Sequence, residues 1–79
     1  MKRMVQTKQG KKWVTTWETD NDETIYKCLY SDLMARYVHK APYIKRVTDV
    51  NNYDGTRTVT VYYGWDGVVR SRSISTVQA

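Results

Sequence analysis

The sequence predicts a small α+β domain, with one amphipathic helix packed on an antiparallel sheet of up to five strands in the order β-β-α-β-β-β. Three observations carry that expectation. β-Branched and aromatic residues alternate with others in "TRTVTVYY", residues 56–63, as a half-buried strand requires. Turn signals at Gln9-Gly10, Asp54-Gly55 and Asp66-Gly67 separate runs of strand length. Apolar residues recur at helical spacing between Ile25 and Tyr37.

Residues 2–8 and 11–18 read as two strands around a two-residue Gln9-Gly10 turn. That turn sets Val5 opposite Val14. It places Met4, Trp13 and Trp17 on one side, the better core candidate, and Arg3, Val5, Lys12 and Val14 on the other. "TDNDET" then starts a helix. Asp20 and Glu23 fit a capping box, and acidic groups suit the positive end of the helix dipole. Ile25, Tyr26, Leu29, Tyr30, Leu33 and Tyr37 form the stripe that should meet the sheet. The helix is expected over residues 22–39, with His39 in its favourable last turn and Pro42 beyond its end.

Residues 43–52, 56–63 and 68–76 read as three further strands, with fraying from about Thr76. A two-residue Asp54-Gly55 turn would pair Val50 with Val59 and Arg46 with Tyr63. Ile44, Val50, Val59, Val61 and Tyr63 would then face the core. The stretch "YYGWDG", residues 62–67, decides the parity of the last strand. A two-residue Asp66-Gly67 turn would put Arg70 and Arg72 under the helix, and each unpaired buried charge costs several kcal/mol. A three-residue Trp65-Asp66-Gly67 loop, with Gly67 left-handed, pairs Tyr63 with Val69. Ser71 and Ser73 then point inward, and Arg70 and Arg72 join Tyr62 on the open face. The charge cost selects this second register.

At 79 residues the chain has room for one domain, residues 1–79. The lone Cys28 excludes an internal disulfide, and one Cys with one His builds no zinc site. Cys28 and His39 are eleven apart, too far along one helix to form a nucleophilic pair. There is no glycine-rich phosphate loop. The expectation is a protein that is not an enzyme and uses neither metal nor cofactor. No apolar run is long enough to cross a membrane and the N-terminus lacks a signal-peptide core, so the expected location is cytoplasmic.

The formal net charge of +5 and pI of about 9.5 favour a polyanionic partner. Nucleic acid is the first expectation. Lys45, Tyr62, Arg70 and Arg72 on the open sheet face would bind it, with Lys8, Lys11 and Lys12 of the first hairpin on phosphates. The alternative is a protein-interaction module, an inhibitor or accessory subunit of the kind phages and mobile elements carry, contacting an acidic protein through Trp65, Trp13 and Trp17. An open edge strand would also allow a homodimer. The element order is not that of a double-stranded-RNA-binding or RNP-type domain, and "RTVTVYYG" lacks the RNP octapeptide pattern.

Overall fold

A β-hairpin and a three-stranded meander share one sheet, and the helix that joins them runs from one edge strand to the other. In the computed structural model the elements are β1 (Lys2–Gln9), β2 (Lys12–Thr19), α1 (Asp22–Tyr37), β3 (Ile44–Asn51), β4 (Thr56–Trp65) and β5 (Val68–Gln78). The structure describes residues 1–37, 44–65 and 67–79, apart from the side chains of 35–37 and 65. The expected helix end at His39 and Pro42 lies outside the described residues. The strands are antiparallel in the order β2-β1-β5-β4-β3, so the chain termini pair at the centre and β2 and β3 are the edges. The predicted α+β class and element order are those observed. β5 runs on to Gln78 and Val77 is buried, where the sequence suggested a frayed end.

The helix starts where Asn21, not Asp20, caps it. Asn21 Oδ1 accepts from the Thr24 amide at 3.0 Å, and the Ile25 amide donates to the Asn21 carbonyl at 2.9 Å. Ile25 is buried with Val59 and Val77, and Leu29 and Val47 pack against them. The buried stripe is rotated from the expected one. Tyr26 and Tyr30 are 75% and 63% exposed, and Asp32 turns inward in their place.

Asp32 explains the rotation. Its carboxylate accepts from Arg3 Nη2 at 2.8 Å, from the Tyr63 hydroxyl, and from Ser73 Oγ at 3.4 Å. Arg3 comes from β1, Tyr63 from β4 and Ser73 from β5, so one helix residue is tied to three strands. Arg3 is almost wholly buried, and its face of β1 is the one under the helix. The expected core side, Met4 with Trp13 and Trp17, is therefore overturned. Met4 pairs with Ile74 on the open face, and a partner on the helix makes it possible to bury a charge there.

Three turns differ from expectation, and each shifts a register. The first hairpin turns at Gly10-Lys11, so Gln9 pairs with Lys12 and Lys8 with Trp13. A bulge at Thr16, between the pairs Gln6–Thr15 and Val5–Trp17, then puts Trp17 on the face opposite Trp13. The β3–β4 connection is a four-residue loop, 52–55, and the strands register as Asn51 with Arg57, Asp49 with Val59 and Val47 with Val61. Asn51 Oδ1 accepts from the Tyr53 amide at 2.8 Å, and Asp54 Oδ1 accepts from the Thr56 amide at 3.0 Å. Tyr53 adopts a left-handed φ of 60° within this capped loop. The extra residue reverses parity along β3, so Val47 faces the core and Val50 is 56% exposed.

At β4–β5 the predicted faces hold for Ser71, Arg72 and Ser73 but not for Val69, which pairs with Gly64, and the predicted register does not hold. Trp65 pairs with Val68 across Asp66-Gly67, with Gly67 at φ 79°, and the register shifts between Tyr63 and Gly64. Tyr63 pairs with Ser71 rather than Val69, Val61 with Ser73, and Tyr62 with Arg72. Two turn residues and a bulge that leaves Arg70 unpaired give the inward serines that a three-residue loop was expected to give.

Replacing Asp32 by Ala leaves Arg3 buried without its partner. The expected loss is about 3–5 kcal/mol in urea unfolding, and an unchanged midpoint would refute the role assigned to this cluster. Burial, reinforced by the bond to Asp32, pushes the Tyr63 phenol well above its ordinary 10.0. The folded chain thus holds this proton more tightly than the unfolded chain does. Its contribution to stability is complete below about pH 10 and is lost as pH rises toward the folded value. The urea midpoint should fall through that alkaline range, and less steeply in Tyr63→Phe.

Candidate nucleic-acid interface

Strand directions gather the cations. β1, β4 and the C-terminal part of α1 run toward one end of the sheet, where the Gly10-Lys11 turn, the turn after Trp65 and the start of β3 meet. Lys8, Lys11, Lys12, Lys45, Arg46, Arg70 and Arg72 all lie in or near these segments. The acidic residues Glu18, Asp20, Asp22 and Glu23 lie at the opposite end, where β2 passes into the helix. The charge of the molecule is therefore polarised along the strands.

The open face carries a built feature at its basic end. Arg72 Cζ lies 4.2 Å from the centroid of the Trp13 ring, and Lys8 Nζ lies 5.2 Å from the same ring. Arg72 Nε donates to Gln6 Oε1 at 2.8 Å, while Gln6 Nε2 donates to Thr15 Oγ1 at 3.2 Å. The Gln6 amide is thus held at both ends and fixes the guanidinium. Arg72 pairs with Tyr62, and Arg46 Cζ lies 4.3 Å from the Tyr62 ring centroid. Trp13, Gln6, Arg72, Tyr62 and Arg46 come from β2, β1, β5, β4 and β3, so the row crosses every strand.

Lys45 joins this row by a different route. It is the extra residue of a bulge between Ile44 and Arg46. Its side chain lies across Gly64. A Cβ at Gly64 would stand 2.6 Å from Lys45 Cγ and 2.8 Å from the Val68 carbonyl oxygen. A glycine is needed there because the lysine stem and the backbone occupy the space.

The structure thus brings together Lys8, Lys45, Tyr62 and Arg72 of the expected interface. Lys11 and Lys12 stay exposed at the adjacent turn, and Arg70 is exposed at its bulge. Arg46 and Gln6 were missed, because the expected turns placed Arg46 under the helix and left Gln6 without a role. Trp13 belongs to the basic row rather than to a tryptophan cluster. Trp17 is 43% exposed and lies on the opposite face by its pairing, and the Trp65 side chain lies outside what is described. The carboxylates that form ion pairs among the described residues, Asp22, Glu18, Asp32, Glu23 and Asp49, engage none of Lys8, Lys45, Arg46 and Arg72. Among the described residues no three His, Cys, Asp or Glu side chains gather to hold a metal ion. No described helix is long and apolar enough to cross a membrane.

The other exposed aromatic surface is on the helix, where Tyr26 and Tyr30 border a groove of about 690 Å³ also lined by Leu29, Leu33, Arg57 and Val77. It carries no comparable set of cations. Comparison with protein-family models, with curated proteins and with solved structures finds no significant match for this chain.

Gly64→Ala should destabilise the fold by about 1–3 kcal/mol, because one of the two close neighbours is backbone and cannot swing away. A denaturant midpoint equal to the parent's would show that the bulge and Lys45 yield freely.

Proposed function

We propose that this protein binds nucleic acid without catalysing a reaction, in the cytoplasm, through the basic end of its open sheet face. One observation carries the reading: Arg72 is held on Trp13 by Gln6, beside Tyr62 and Arg46, with none of the described carboxylates paired to it. A guanidinium laid on a ring loses less freedom when it binds, and its planar fork suits phosphate oxygens. Its bond to Gln6 uses Nε, which leaves both Nη groups for a ligand. Lys8, Lys11, Lys12, Lys45 and Arg70 add charge around it, and the acidic group Glu18, Asp20, Asp22 and Glu23 sits at the far end.

The protein-contact alternative has less support. Its three tryptophans do not form one patch, since Trp13 is engaged by Arg72 and Lys8 while Trp17 lies on the opposite face.

Binding of labelled DNA and RNA oligonucleotides should weaken steeply with salt. A dissociation constant of about 1–100 μM near physiological salt is the expected range for contacts dominated by phosphates. Replacing Arg46 and Arg72 together by Gln should flatten the plot of log K against log salt by about 1.4–1.8, two phosphate contacts' worth. Absence of binding at tens of micromolar protein in low salt would overturn the proposal.

A further inference from the structure

We infer that the ligand of this face is a single strand of nucleic acid laid across the β-strands, with the ring–guanidinium pairs Trp13–Arg72 and Tyr62–Arg46 as base-stacking platforms. This inference rests on the proposed function and specifies its ligand.

The size of the face argues against a duplex. Five strands at about 4.8 Å spacing make a surface roughly 19 Å across, whereas the B-DNA major groove is about 12 Å wide and admits a helix or a two-stranded ribbon. The row lies on the face of the sheet and extends from β2 to β3, so it cannot be lowered into a groove as a whole. A duplex would meet these side chains only with its phosphate rims and would leave the rings unmatched.

The chemistry along the row suits an unpaired strand. From one edge to the other it alternates ring and cation: Trp13, Arg72, Tyr62, Arg46. Unpaired bases stack on aromatic rings and on guanidinium planes, and the phosphates between them meet cations. Arg72 offers both, because its guanidinium lies on Trp13 and the residue is only half-buried. The next positions on this face are Thr48, Thr60, Ile74 and Met4, with Glu18 at the β2 edge. The Glu18 carboxylate is paired with Lys2 at 3.4 Å, and the four positions between it and the β3 edge carry no charge that repels a phosphate chain. A row of this length suits a short site of about four nucleotides, the lower end of the range for single-strand-binding folds.

The test is fluorescence anisotropy at one fixed salt concentration with three labelled probes: a 12-mer of thymidylate, a 12-mer of uridylate, and a 12-base-pair hairpin duplex. At least one single strand should bind about tenfold or more tighter than the duplex. Trp13→Leu and Tyr62→Leu keep apolar bulk but remove the ring. Each should weaken single-strand binding by about fivefold or more, with little effect on the duplex. Circular dichroism would confirm that both variants remain folded. In a Trp17→Phe, Trp65→Phe background Trp13 is the sole tryptophan, and its fluorescence should be quenched by the single strand. This last readout holds even if the Leu variants fail to fold. A duplex that binds as tightly as either single strand, or ring-less variants that bind like the parent, would overturn the inference and leave the proposed function standing. Binding to none of the three probes would overturn the proposed function itself.

Discussion

The carboxylate of Asp32 sits where the helix crosses the sheet, and most of the molecule is arranged around it. It accepts hydrogen bonds from Arg3, Tyr63 and Ser73, on three different strands. A carboxylate buried this far needs such partners, because desolvation without them would cost several kcal/mol. Arg3 needs Asp32 equally: among the described residues its Nε and Nη1 find no hydrogen-bond partner, so the one ion pair carries the guanidinium there. The cluster decides which face of the sheet is inside. With Arg3 and Ser73 turned toward the helix, alternation sends Met4, Gln6 and Lys8 outward on β1 and Arg72 outward on β5.

The basic row follows from that choice. Four side chains that meet on the open face come from two distant parts of the chain, Gln6 and Trp13 from the first hairpin and Tyr62 and Arg72 from the last two strands. They meet because the terminal strands β1 and β5 pair at the centre of the sheet and join the hairpin to the three-stranded meander. The helix tilts the charge distribution further. It begins beside the acidic end of β2 and leaves the opposite end of the sheet to the lysines and arginines. An anionic chain approaching this molecule meets attraction at one end and repulsion at the other.

Much of the fold was legible in the sequence. Each element was read in the right order, because strand alternation and helical periodicity are local signals. The outward direction of Arg72 follows from the cost of burying unpaired charge, and that of Tyr62 from strand alternation; Lys45 reaches the open side only through the bulge between Ile44 and Arg46. What local signals do not contain is the partner of a buried charge. Arg3 looked like a surface residue and Asp32 like a solvated position on the helix, because their pairing spans 29 residues and depends on strand order. The same gap put Tyr26 and Tyr30 in the expected core. Turn length was the second weak point. Asp54-Gly55 signals a turn, but the loop is set by side-chain caps from Asn51 and Asp54, and the extra residue reverses β3. That reversal is why Arg46 was assigned inward while it lies on Tyr62. Three bulges, at Thr16, Lys45 and Arg70, have no signature in composition either, although the glycine at 64 lies beside two of them.

The account stands or falls on which surface meets the ligand. A chemical-shift titration of the isotopically labelled protein with a short oligonucleotide maps that surface residue by residue. The account predicts that the largest changes fall on the side chains of Gln6 and Arg72, the Trp13 indole N–H, and the amides of Tyr62, Gly64 and Arg46. Tyr26, Tyr30 and the rest of the exposed helix surface should stay still. Changes centred on the helix groove, or no changes at saturating oligonucleotide, would contradict it.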